Sequence, residues 1–234
     1  MSFVKIISGP TGSGKTAVAE RFQKPIFSAD AFQFYREIPI LSNQTTSKSN
    51  VHFVADRSIK NPINAGDFSR EAAPYLKSDG IWAGIGLYLG AALFGLDEDR
   101  KKGTPFQGEP RMPFRMVVLN PERKKLYSDL DHRVDQMCER GAVDEARRIY
   151  ELKQKGEIES SNPVLKGIGL KHLLEHFDQQ RNLNNTIILW KRDTRRLAKR
   201  QMTWLRKFCP PSPTCIWVDP AQMDFLTLAR FFEI

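Results

Sequence analysis

Five short apolar runs punctuate the chain, at Phe3–Ser8, Pro25–Ser28, Gly80–Ala83, Arg115–Leu119 and Cys215–Val218. Each is the length of a buried strand. Between them apolar residues recur at helical spacing, over Lys15–Phe22, Phe68–Lys77, Leu87–Phe94, Glu122–Lys155, Lys166–Phe177 and Thr186–Phe208. Strands alternating with helices predict an α/β fold, a parallel sheet covered by helices on both faces. Ligands on such sheets sit at the carboxyl ends of the strands. No internal repeat is visible. Residues Asp97 to Pro113, DEDRKKGTPFQGEPRMP, break the rhythm. They are charged and rich in Gly and Pro, so they read as an exposed connector between a first part of the core, 1–96, and its remainder, 114–234. Asn120-Pro121-Glu122 reads as a helix start, with Asn120 as cap and Pro121 in the first helical position. A break is expected near Gly141.

The first strand runs straight into chemistry. Gly9, Pro10, Thr11, Gly12, Ser13, Gly14, Lys15 and Thr16 spell GPTGSGKT, a complete G-x-x-x-x-G-K-[ST] signature between a strand and a helix. Such a turn aims backbone N–H groups and the positive end of a helix dipole at one anion. Gly9, Gly12 and Gly14 permit the backbone angles it needs. Lys15 adds a point charge, and the Thr16 hydroxyl can enter a Mg²⁺ shell. A di- or triphosphate group is the expected ligand. Asp30 ends the second strand at the same edge of the sheet, where an acid can hold Mg²⁺ or accept a proton from a nucleophile. A helix cap or turn is the structural alternative for this residue. Ile81-Trp82-Ala83 runs into Gly84-Ile85-Gly86 without an acid. Hydrolytic P-loop proteins usually end such a strand in Asp or Glu, so the pattern suits an enzyme that holds a diphosphate as a leaving group.

Charge adds a partner. The formal charge of +9 is concentrated between Lys191 and Lys207, where eight Lys or Arg stand with one Asp. Trp190, Leu197, Trp204 and Phe208 fall at core spacing on that helix, and Arg192, Arg195, Lys199 and Arg206 on another stripe suited to phosphates. A polyanion such as nucleic acid is the expected partner. Three cysteines (Cys138, Cys209, Cys215) lack metal-ligand spacing and point to a reducing cytosol. Ile81–Leu96, the longest uncharged run, is 16 residues with four glycines, too short to span a bilayer. No signal-peptide pattern opens the sequence.

GPTGSGKT, then SADAFQFY (Ser28–Tyr35), AGIGLYLGAALFG (Ala83–Gly95) and DTRRLAKRQMTWLR (Asp193–Arg206) resemble the tRNA dimethylallyltransferases, also called isopentenyltransferases. His52-Phe53, His132-Arg133 with Met137 and Gly141, and Lys166–Lys171 are similar to further family segments. The resemblance spans Phe3–Leu96 and Phe114–Pro220, and the string Ala198–Arg206 is its distinctive part. It implies a P-loop NTPase-like sheet flanked by helices. It also implies transfer of a dimethylallyl group from dimethylallyl diphosphate to the exocyclic amine of the adenine 3′ of a tRNA anticodon. By position, Gly9–Thr16 would cradle the diphosphate, with Lys15 and Arg195 neutralising it and Thr16 binding Mg²⁺. Asp30 would be general base. Asp30, Ala31, Phe32 and Gln33, with Gly167, Ile168, Gly169, Leu170, Lys171 and His172, would contact tRNA, as would Arg192 and Lys199 on the basic helix. A cytoplasmic monomer that binds no membrane is expected. Two positions depart from the family: Asp97–Pro113 replaces most of a helical insertion that grips the anticodon stem, and Ala83-Gly84-Ile85 stands where the family has Gly-Gly-Thr. Transfer to free AMP, a small-molecule kinase using ATP, and an impaired paralogue that only binds RNA are the alternatives.

Overall fold

The computed structural model describes residues 3–44, 50–95 and 108–233, so most of the connector lies outside the described residues. Six parallel strands form one sheet: β1 (Val4–Ser8), β2 (Ile26–Ala29), β3 (Val51–His52), β4 (Ile81–Gly84), β5 (Phe114–Leu119) and β6 (Cys215–Val218), in the order β3-β2-β4-β1-β5-β6. The expected parallel sheet is therefore present, with its five predicted strands. The addition, β3, is a two-residue strand that pairs with β2 through Ile26 and Phe27.

Alternation along the strands sorts side chains to two layers. Ile6, Phe27, Trp82 and Met116 join the larger core, while Ile7, Ile26, Ile81 and Val117 join the smaller one. All eight are buried, because helices cover both faces and the strands become nearly continuous apolar runs. The smaller face is covered by α1 (Lys15–Glu20) and α8 (Phe225–Glu233). The sequence reading left α8 out. Its Leu228 and Phe232 are almost fully buried against the sheet, worth roughly 1.5–3 kcal/mol each.

The larger face carries α2 (Ala65–Ala72), α3 (Gly86–Phe94), α4 (Arg123–Glu139), α5 (Ala142–Gln154), α6 (Ile168–Phe177) and α7 (Leu183–Phe208). The expected helix over Phe68–Lys77 splits into α2 and a 3₁₀ stretch, Ala73–Lys77. Pro74 explains the change, since its ring cannot continue an α-helical ladder. The expected break between α4 and α5 falls at Gly141, at φ 97°. The start of α4 corrects the sequence reading. Its cap is Glu122, whose carboxylate accepts from the Lys124 and Lys125 amides at 2.9 and 2.7 Å. The Asn120 amide instead donates to the Val218 carbonyl, prolonging the β5–β6 ladder. Among the described residues no helix is long and apolar enough to cross a membrane. The uncharged run becomes β4 and α3.

Candidate active site

The carboxyl ends of β1, β2 and β4 open into a cavity of about 1250 Å³. The phosphate loop lies on its floor. Gly14 is the left-handed N-cap of α1, at φ 84°, a conformation that costs other residues but not glycine. With only six residues α1 is a weak dipole, so the positive field comes chiefly from side chains and loop amides. Thr11, Gly12, Gly14, Lys15 and Thr16 line the cavity, whereas Gly9, Pro10 and Ser13 are buried beneath it.

Lys15 folds back, its ammonium donating to the Gly9 and Pro10 carbonyls at 3.0 and 2.9 Å. Burial pushes it down to about 8, with nearby Asp30 opposing the shift and Arg133 adding to it. Arg133 of α4 reaches the loop from behind, donating Nη2 to Thr11 Oγ1 at 2.9 Å. Burial lowers this guanidinium from its usual value as well, with Asp30 opposing. Its Nε is buried without a partner, as is Ser13 Oγ. A buried cationic donor left unsatisfied beside a glycine-rich loop is one that an anion would satisfy.

Across the floor stands Asp30, where β2 ends. Its Oδ1 accepts the Phe32 amide at 3.0 Å, an Asx turn that fixes the carboxylate. Phe32 then meets the far half of the chain. An added Cβ on buried Gly167 would stand 2.8 Å from Phe32 Cε1. Asn162 sets that approach by donating to the Ile59 carbonyl and capping the 3₁₀ turn Pro163–Lys166. Asp30–Gln33 and Gly167–Leu170, far apart in sequence, thus share one wall of the cavity. Glu145 of α5 supports the cavity rim at Ile40–Leu41. It is almost fully buried and accepts the Ile40 and Leu41 amides at 3.0 and 2.8 Å. Burial raises its carboxyl despite those two bonds.

Several residues singled out in the sequence stand elsewhere. Arg195 does not line the cavity; it pairs with Asp131 of α4 at 2.5 Å. Arg192 pairs with the adjacent Asp193 at 2.9 Å. Lys191, beside them, pairs with Asp135 at 2.6 Å. The arginine stripe read as phosphate-facing therefore spends two members on acids, one of which ties α7 to α4. His172 is buried between α6 and α7, with Nε2 3.1 Å from Asp193 Oδ2. Lys171 is exposed, 3.9 Å from Glu175. Lys199 is exposed on α7, outside the cavity. Trp204 and Phe208, expected in the core, are only half-buried; Thr194, Ala198 and Leu205 take those positions beside Trp190.

Two site residues carried no signal of their own. Arg133 was visible only as a neighbour of His132, and Gln201 only as a letter in the Ala198–Arg206 string. Gln201 Oε1 accepts the Thr11 amide at 2.7 Å, joining α7 to the phosphate loop. Ile85, at the extended N-cap of α3, lines the cavity and packs on the larger core. Among the described residues no three His, Cys, Asp or Glu side chains gather to hold a metal. A hard cation here would be held by the Thr16 hydroxyl together with ligand oxygens, the way Mg²⁺ is usually held at phosphates.

A phosphate loop, two partly buried cations and a carboxylate at the same edge of a parallel sheet define an α/β protein of the P-loop type. Residues 97–208 match the IPP transferase family model. The tRNA dimethylallyltransferase of Oenococcus oeni is 31% identical over 94% of this chain and 90% of its own length. That of Salinibacter ruber is 28% identical, over 86% of this chain and 84% of its own. The latter alignment runs over 276 residues, more than this chain has, so part of that protein has no counterpart here. The crystal structure of the full-length tRNA isopentenylpyrophosphate transferase of Bacillus halodurans shares the fold, with a TM-score of 0.78 at 23% identity, over 99% of this chain and 95% of that one. The chain belongs to the tRNA dimethylallyltransferase family.

Proposed function

We infer that this chain transfers a dimethylallyl group from dimethylallyl diphosphate to the exocyclic amine of the adenine 3′ of the anticodon in tRNA. One observation carries the reading: a single cavity holds Lys15 and Arg133 at the phosphate loop and the Asp30 carboxylate facing them. In the reaction a bond forms between the adenine nitrogen and C1 of the donor, and the C1–O bond to diphosphate breaks. The bonding pair leaves on the diphosphate, where Lys15 and Arg133 meet the charge. An aromatic amine is a weak nucleophile, so Asp30 orients it and accepts its proton. Mg²⁺, when bound, supplies further positive charge at the diphosphate, and Thr16 is the residue that would hold it. Asp30–Gln33 and Gly167–Leu170 receive the base, which leaves its stack to enter.

Three free thiols fit a reducing cytoplasm. Residues 97–113 stand, on this reading, for a reduced insertion between two parts of one core. Incubation with dimethylallyl diphosphate, Mg²⁺ and unmodified tRNA should add one dimethylallyl group to the RNA. Absence of any mass gain would overturn the reading. The segment without counterpart here favours AMP as a second acceptor to test, and product analysis with AMP beside tRNA separates the two.

A further inference from the structure

Parallel pairing decides which side chain stands between the phosphate loop and Asp30. β4 lies between β1 and β2, with Ala83 level with Ile7 and Gly84 level with Ala29. Continuing both ladders to the carboxyl edge puts Ile85 beside Asp30 on one side and beside Gly9, the first loop residue, on the other. Neighbouring strands are about 4.8 Å apart, so Ile85 stands midway across a gap of roughly 10 Å. The end of β4 has little freedom to move. An added Cβ on Gly84 would lie 2.7 Å from the Ala29 Cβ, and Ser8 Oγ donates to the Gly84 carbonyl at 2.8 Å.

The Ile85 side chain lines the cavity on one side and packs against the larger core on the other. A β-branched side chain is stiff at χ1, so it presents a fixed surface. One helical turn on, Tyr88 extends that surface. Its hydroxyl is spent on the Ile63 carbonyl at 2.9 Å, and its ring sits 5.4 Å from both the Phe34 and the Phe68 rings. Leu87, 45% exposed, completes an apolar strip on the cavity wall. The loop and Asp30 fix the polar ends of the reacting pair, and the strip between them takes the apolar middle. With diphosphate in the loop and the amine at Asp30, the carbon that changes partners lies over Ile85, and its tail rests on the strip.

We propose that Ile85 determines which prenyl donor is accepted. Its side chain, backed by Tyr88, supports a dimethylallyl tail and fills the space that a longer tail would need. The proposal rests on the reading of a prenyl diphosphate as donor and adds the residue that measures the tail; the bonds made and broken are those of the proposed reaction.

The test compares kcat/KM for dimethylallyl diphosphate with that for geranyl diphosphate, which has the same allylic head on a tail longer by one isoprene unit, with tRNA as acceptor. The unaltered protein should strongly prefer the shorter donor. Ile85→Ala should shrink that preference by about tenfold or more, because geranyl transfer rises as dimethylallyl transfer falls. Ile85→Val, a smaller cut in the same wall, should move the preference the same way by less. Inhibition by inorganic diphosphate and the KM for tRNA should hold in both variants, which separates a reshaped wall from a damaged loop. Loss of that inhibition in both would overturn the proposal, since the side chain would then be holding the loop. A preference unchanged by either variant, with dimethylallyl transfer retained, would overturn the assignment of Ile85 and leave the donor reading standing. An unaltered protein that transfers neither tail to RNA would overturn both.

Discussion

At the scale of single residues, Lys15 gives the most direct pH prediction. Its ammonium is held down to about 8 by burial, so the free protein loses that charge as pH rises through this value. A bound diphosphate favours the protonated form and raises the same group. Donor affinity should therefore be highest below pH 8 and fall above it, where binding takes up as much as one proton; a pH series of donor KM measures this. Lys15→Met should bind weakly and lose the dependence. Asp30→Asn preserves the oxygen that accepts the Phe32 amide but removes the base. Turnover should drop by about 10²–10⁴-fold, with donor KM nearly unchanged, as steady-state kinetics would report. The same scale shows what the sequence can hold. GPTGSGKT and Asp30 are readable because their chemistry depends on local order. Arg133 is not, because more than a hundred residues separate it from Thr11, and only the packing of α4 behind the loop brings them together.

At the scale of elements, Gly167 decides whether two distant segments meet. A methyl group there would lie 2.8 Å from the Phe32 ring, so the ring or the turn must shift. Gly167→Ala should raise the KM for tRNA more than that for the donor, measured side by side. Hydrophobic patterning gave five strands and six helical regions, because each buries a repeating face. It failed where patterning carries little information. β3 is two residues long, too short for any period. Glu122 displaces Asn120 as a cap because the β5–β6 ladder runs on through the Asn120 amide and the helix begins only at Arg123, two residues beyond the reach of an Asn120 cap. On α7 the periodicity located a helix but misassigned its faces: Arg195 meets Asp131, a partner that only tertiary packing supplies.

At the scale of the whole molecule, the parallel sheet makes the site a product of the fold rather than of one loop. β1 and β2 carry the loop and Asp30 to the same edge, with β4 between them. Ligand binding should then stabilise the entire core. Inorganic diphosphate with Mg²⁺ at a hundred times its Kd contributes about 2.7 kcal/mol. For a chain of this length that is a rise in Tm on the order of 5–10 °C, and Lys15→Met should abolish it in thermal melts. With a net charge of +9, tRNA affinity should fall with salt in proportion to the phosphates the protein neutralises, as a binding series across salt concentrations would show.

The bond between Gln201 and the Thr11 amide has a wider implication. One helix holds the phosphate loop, the proposed cradle of the donor, from its inner side and presents four cations outward. If seating of the acceptor shifts that helix, it also tilts the cradle. Whatever factor the acceptor imposes on donor binding, thermodynamic reciprocity obliges the donor to return to the acceptor.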